Sequence, residues 1–551
     1  MSTTVIRSVK VPGPRQSELE VVEKDGGSAQ NRAGYLARAV ALHLAGKRDE
    51  ALKQLQRAVA SNDASPEIYR AMGHIQFEQG NFSDAAKSYK SLTQQKSQYS
   101  VGWFNLAVCH ERMGAWEEAC EAFHKAVTLD PGNLDGHLGL GVCHLRLEDP
   151  KSALFAFDRC LEISPDHQDA QFGKAAAMQS LGHADEAAKL YQKILERDPE
   201  AEESLSNLIL IGMSKEDFDM VREYSERLLD LRPDSTVALE GLAAWASAAD
   251  EHALTAKFCT LLVSAVPGHF EGWFNLALAH QKSSRWEQAS EAYEEALKLK
   301  PKSSEALTNL GIVREQLQDV NGARDAYERA IEATPEALAP LWNMALLLEH
   351  GDRLEEAERW YKTVLEKAPK EEEARFRLGY LRLQRSDFRG AAEAFEGCLK
   401  YRPNWNEAYA NLALAYNGLG ERDHAERIYE KMLESDPKSL EALRGLAALA
   451  IQSNDFDAAL ELHIRLIDLG EKSPEVLYNA GLMEEKAGHL EKAVSLYRDA
   501  LEQLPEMPEA LLNLGRILET TGKSEDARSC WSRALEAEPA LAQGYFGPAI
   551  E

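Results

Sequence analysis

The chain has 551 residues, with 62 Lys and Arg against 90 Asp and Glu, and the resulting formal charge of −28 repels phosphate and argues against nucleic acid or an anionic membrane surface as a partner. Its 44% hydrophobic and 28% charged residues are enough for extensive cores, while no run approaches the roughly 18 apolar residues of a membrane-spanning helix. Seven cysteines without a C-x-x-C pair argue against a disulfide framework and a zinc knuckle.

In chain order, residues 1–31 come first, with Pro12, Pro14, Gly26 and Gly27, and with no apolar stretch of secretory length or lipid-anchoring cysteine. A flexible tail is expected there, with weak alternation only in VIRSVKV, and the default location is the cytoplasm.

From Arg32 the sequence repeats every 34 residues. Successive units begin at Pro66, Ser100, Leu134, Gln168, Glu202, Thr236, Phe270, Ser304, Leu338, Glu372, Asn406, Leu440, Pro474 and Pro508, giving fifteen units without an insertion up to Leu541. Apolar residues at unit positions 4, 7, 8 and 11, and again at 20, 24 and 27, predict two amphipathic helices per unit. They join near position 15, where Gly114, Gly182, Gly420, Gly488 and Gly522 fall. Position 8 is Gly or Ala in fourteen units, Ile209 being the exception, and position 20 is Ala in thirteen. Position 24 is aromatic in eleven units and able to fill the space those small residues leave, and position 32 is Pro in twelve, which ends the second helix.

The small–aromatic–small pattern with a closing proline resembles the tetratricopeptide repeat (TPR) over residues 32–541. The resemblance implies an all-α fold, an α-solenoid in which fifteen helix-turn-helix units form a right-handed superhelix around a concave groove. It further implies a protein-protein interaction scaffold.

Units six and seven, residues 202–269, fit the pattern worst. Val221 and Thr255 replace the position-20 alanine, and Ser225 and Cys259 replace the ring; two readings fit, a joint of lower stability between an N-terminal and a C-terminal stack, or ordinary divergence with compensating side chains.

On a helical wheel, positions 2, 5, 6, 9, 12 and 13 of the first helix lie opposite the core stripe and face the groove. Position 6 carries Asn105, Asn207, Asn275, Asn309, Asn343, Asn411, Asn479 and Asn513, whose amides can both donate to and accept from a peptide backbone. Such a ladder resembles the asparagine-lined groove of the O-GlcNAc transferase TPR domain and is read as peptide-binding first at the consecutive Asn275, Asn309 and Asn343, the alternative being asparagines that bond neighbouring helices. Beside it lie Phe104, Phe274 and Trp342 at position 5 and Leu278, Ile312 and Leu346 at position 9, an apolar stripe suited to an extended peptide or an amphipathic helix. No unit has the Lys at position 5 or the Asn at position 9 with which chaperone-binding TPR domains clamp a C-terminal carboxylate.

Cys109-His110 and Cys143-His144 recur one unit apart, but position 11 belongs to the core stripe, and packing rather than metal binding is expected; no cofactor is implied. No P-loop, G-x-S-x-G, H-E-x-x-H or dinucleotide motif occurs, and the segments flanking the repeats are too short for a catalytic domain, so the expected function is non-catalytic. Two other readings fit the repeats: a substrate-recruiting subunit of a separately encoded enzyme such as a glycosyltransferase, and a self-assembling structural solenoid. Residues 542–551 hold Tyr545 and Phe546 and could fold back as a minimal cap, since Pro548 prevents a sixteenth regular helix.

Overall fold

A computed structural model describes residue 13, residues 29–62 and residues 64–540. The expected tail and C-terminal cap therefore lie almost wholly outside the described residues. Among the described residues there are thirty α-helices, two per repeat, from Ala29–Leu44 to Ser524–Ala537, and no strand. The chain is an α-solenoid. It divides into two compact units, Met1–Pro301 and Lys302–Glu551, with the boundary in the turn that closes repeat eight. Within each unit every helix packs on its neighbours in sequence, and several consecutive first helices also touch each other.

Local chemistry fixes the helix ends. The side chains of Asn133, Ser235, Ser303 and Ser439 accept from the backbone N–H three residues on at the start of first helices, as those of Asp149, Asp319 and Asp455 do for second helices. The turn between the two helices is more uniform than its sequence. Position 15 has a positive φ in all fifteen repeats, in glycines such as Gly488 (φ 81°) and equally in Glu216, Asp250, Gln318 and Asn454 (φ 56–62°). The left-handed turn is thus imposed by helix pairing, and glycine only makes it cheaper.

The core of each repeat is built on the position-24 ring. Tyr89, Phe123, Phe157, Tyr191, Tyr293, Tyr327, Tyr361, Phe395 and Tyr497 are all completely buried, and the position-20 alanines beneath them are too. Phe157 shows why small residues are required around it. A Cβ added to Gly141, in the first helix of the same repeat, would sit 2.6 Å from the ring, and one added to Gly173, in the first helix of the next, 2.4 Å. Each ring therefore occupies a slot between position 8 of its own repeat and position 6 of the following one.

Candidate functional site

This slot changes what positions 5 and 6 do. All six position-5 aromatics lie against the position-24 ring of their own repeat: Phe104 on Phe123, Phe172 on Tyr191, Phe274 on Tyr293, Trp342 on Tyr361, Phe376 on Phe395 and Tyr478 on Tyr497, with centroids 5.5–5.8 Å apart. Position 6 abuts the ring of the preceding repeat. A wheel drawn for one helix against one partner puts both positions opposite the core, but the first helix also packs against the preceding repeat.

The candidate residues consequently separate into groups. Phe104 and Asn105 are buried, at 0% and 2% exposure, and Asn105 lies beside the Tyr89 hydroxyl of the preceding repeat. Asn513 bonds between helices: its amide N–H donates to the Tyr478 hydroxyl (3.2 Å), and its carbonyl accepts from Arg516 (3.3 Å). Asn309, Asn343, Asn411 and Asn479 are half-buried, and Asn275 is exposed. Phe274, Leu278, Ile312, Trp342 and Leu346 are half-buried; the last three pack onto the buried cluster of Tyr327, Met344 and Tyr361. In the second unit, Asn309 with Ile312 and Asn343 with Leu346 occupy matching sites on the helices Ser304–Gln316 and Leu338–His350. Asn275 and Leu278 belong to the first unit.

Four repeats lack the ring, and they solve the problem differently. Leu55 fills the slot of repeat one and is fully buried. In repeat six large and small residues have changed places: Ser225 stands where the ring would be, and Ile209 replaces the small residue at position 8. The Ser225 hydroxyl oxygen and Ile209 Cγ2 come within 2.4 and 2.9 Å of where a Cβ on Gly241 would be. Repeats seven and thirteen have no such exchange, since Cys259 faces a small Ala243 and His463 faces a small Ala447. Both have an open cavity at this site. That over Cys259 is about 760 Å³ and is lined by Ala243, Ser247, His269 and Asn275 among others; that over His463 is about 340 Å³ and is lined by Ala447, Ile451 and Asn479 among others. The sequence shows both losses, but the rescue of repeat six by Ile209 becomes visible only once position 8 is known to touch the ring.

Charge at the two mouths differs. His269 Nδ1 accepts the Gly272 N–H (2.9 Å), so its proton is on Nε2, which donates to Glu240 (2.7 Å). At the second mouth Arg444 is ion-paired with Glu471 at 2.6 Å. Burial pushes the Cys259 thiol up to about 12, far from a reactive thiolate.

The Cys-His pairs do not converge. Cys109 and Cys143 are fully buried, and burial raises both thiols, while His144 approaches Cys120 (3.6 Å) and Asp149 (3.5 Å) instead. Burial also raises Cys120, so the imidazole contact does not make it a thiolate. Elsewhere His43, His74 and Glu78 lie close together, but Glu78 already holds the Arg48 guanidinium at 3.0 Å, whose charge opposes a metal ion. Among the described residues no helix is long and apolar enough to cross a membrane.

Tetratricopeptide repeat models match residues 36–100, 274–337, 315–372 and 376–439 in one form, 144–208, 420–478 and 485–544 in a second, and 100–133 in a third. The chain belongs to the tetratricopeptide repeat family. No curated protein sequence matches it. Among solved structures it is similar to that of Naa15/Naa10 bound to HypK-THB, at 14% identity, covering 94% of this chain and 96% of that one, with a TM-score of 0.35. It is also similar to YrrB, a TPR protein with an unusual peptide-binding site, at 22% identity over 34% of this chain and 96% of that one (TM-score 0.32). A third is a tetratricopeptide repeat protein from Parabacteroides merdae, at 19% identity over 48% and 98% of the two chains (TM-score 0.33).

Proposed function

We propose that the protein is a non-catalytic scaffold that holds a peptide segment of a partner protein against the exposed face of its first helices. The observation that carries this reading is the pairing of half-exposed amides with half-exposed apolar side chains at matching sites, Asn309 with Ile312 and Asn343 with Leu346. Amides one repeat apart can fix the register of an extended backbone, and the apolar neighbours supply contact area. The net charge of −28 favours a basic partner segment through its effect on encounter rate and selectivity.

The test begins with affinity capture from the native host and identification of the bound proteins by mass spectrometry. Trp342→Ala, and Asn309→Ala with Asn343→Ala combined, should then each weaken the identified partner by more than about 1 kcal/mol in calorimetric titration, with helicity unchanged. Unchanged affinity in both variants refutes the groove assignment.

A further inference from the structure

We propose that the cavity over Cys259 is a receptor for a tyrosine side chain of the bound partner peptide, and that a Lys or Arg next to that tyrosine meets Glu240. The inference rests on the peptide-scaffold reading and deepens it.

The cavity occupies the register in which eleven other repeats hold a ring of their own, so its shape follows from the repeat geometry. Its volume of about 760 Å³ falls within the roughly 300–1,000 Å³ of ligand sites. Asn275 is exposed, whereas the position-6 asparagines that follow a tyrosine, phenylalanine or histidine at position 24 of the preceding repeat are buried or half-buried.

Tyrosine is favoured over phenylalanine by what the chain does with its own rings. Tyr191, Tyr293, Tyr361 and Tyr497 each donate their hydroxyl to the position-12 side chain of the same repeat, Gln179, Gln281, Glu349 and Glu485, at 2.6–3.1 Å, and Tyr327 does so to Glu315. In repeat seven position 12 is Ser247, an exposed hydroxyl on the cavity wall that can accept in the same way. Position 5, which carries an aromatic side chain in six of the ring-bearing repeats, is here Glu240. A guest ring therefore enters beside a carboxylate, and a cation next to it in the partner complements that charge.

The chain's own terminal segments do not fit this description. Residues 1–28 contain no aromatic residue, and residues 541–551 offer Tyr545 without a single Lys or Arg. Repeat thirteen makes a poorer receptor, because the His463 ring fills part of its slot, leaving a cavity of about 340 Å³, and position 5 is Arg444, ion-paired with Glu471, instead of a glutamate.

The probe is the blocked tripeptide acetyl-Lys-Tyr-Lys-amide at millimolar concentration with the full chain, read by saturation-transfer NMR. Wild type should saturate the tyrosine ring protons, Cys259→Ala should retain the signal, and Glu240→Gln should weaken it severalfold. Cys259→Tyr, which supplies the missing ring, should abolish it and raise the melting temperature. Ala244→Trp at the cavity rim provides a block that leaves the core untouched, should Cys259→Tyr fail to fold. No ring saturation in wild type, or saturation that persists in either blocking variant, overturns the proposal. So does a wild-type dimer that Cys259→Tyr dissolves, because the guest would then be a second copy. Failure of the slot is distinguishable from failure of the underlying reading: if the captured partner survives Cys259→Tyr but is lost in Trp342→Ala, the slot is wrong and the groove stands, whereas a partner that binds unchanged to Trp342→Ala and to the asparagine variant refutes the groove itself.

Discussion

The exchange of large and small residues in repeat six allows the slot to be tested quantitatively. Ile209 and Ser225 are both fully buried, and they close the space that a ring fills elsewhere. Ile209→Ala leaves that space empty and should cost about 2–5 kcal/mol, as for other large-to-small core changes. Ser225→Phe alone forces a ring against Ile209 and should cost about 1–3 kcal/mol through overpacking. Together they restore the arrangement of Ala107 with Phe123, and the double variant should lose less than about 2 kcal/mol. Independent effects would sum to about 3–8 kcal/mol, so the predicted coupling is at least about 1–2 kcal/mol and favourable. A repeat array opens locally, which makes amide hydrogen exchange the suitable assay, followed in the helices Glu202–Lys215 and Phe218–Leu231. Ile209→Ala should lower protection there by at least about twentyfold, at roughly tenfold per 1.4 kcal/mol, and adding Ser225→Phe should recover most of it. If protection in the double variant equals the product of the two single losses, the rings and their substitutes do not share one slot.

Other consequences are measurable on the same protein. Gly488→Ala, at φ 81°, should cost about 1 kcal/mol of local stability in hydrogen exchange, whereas Gln318→Gly, at φ 62°, should cost nothing or gain a few tenths. Glu111 is half-buried, one of its oxygens has no hydrogen-bond partner, and desolvation pushes its carboxyl up to about 7 from 4.5. The folded state then holds a proton that the unfolded state has released, so stability falls as pH rises from about 4.5 to about 7. Glu111→Gln should remove that local dependence, on the order of 2 kcal/mol, from a pH series of exchange protection in repeat three. Within residues 202–269, proposed as the least stable stretch, repeat seven should exchange faster than repeat six because only its slot is open; equal protection would count against the open slot.

The period, the two helices per unit and the identity of the core ring could all be read from the sequence, because each depends on spacing along a single helix. The turn was legible only in part. Its glycines mark position 15, but Glu216 and Gln318 take the same left-handed backbone because the flanking helix pair demands it. The groove residues were the least legible, for a reason that Asn105 and Asn275 illustrate. Both are asparagine at position 6, yet one is buried and the other exposed, and the residue each abuts lies in the preceding repeat: Tyr89 for the first, the small Cys259 for the second. A wheel for a single helix does not contain that information.

Because each ring is seated between its own first helix and the first helix of the next repeat, it fastens two consecutive repeats as a pin fastens two leaves of a hinge. Mechanical load along either unit would be carried from repeat to repeat by these pins. A stretching force should therefore part the array first beside Cys259 in one unit and beside His463 in the other, where the pin is missing or undersized. A guest tyrosine at Cys259 would replace the missing pin, and the protein would resist extension more strongly with its partner bound than without it.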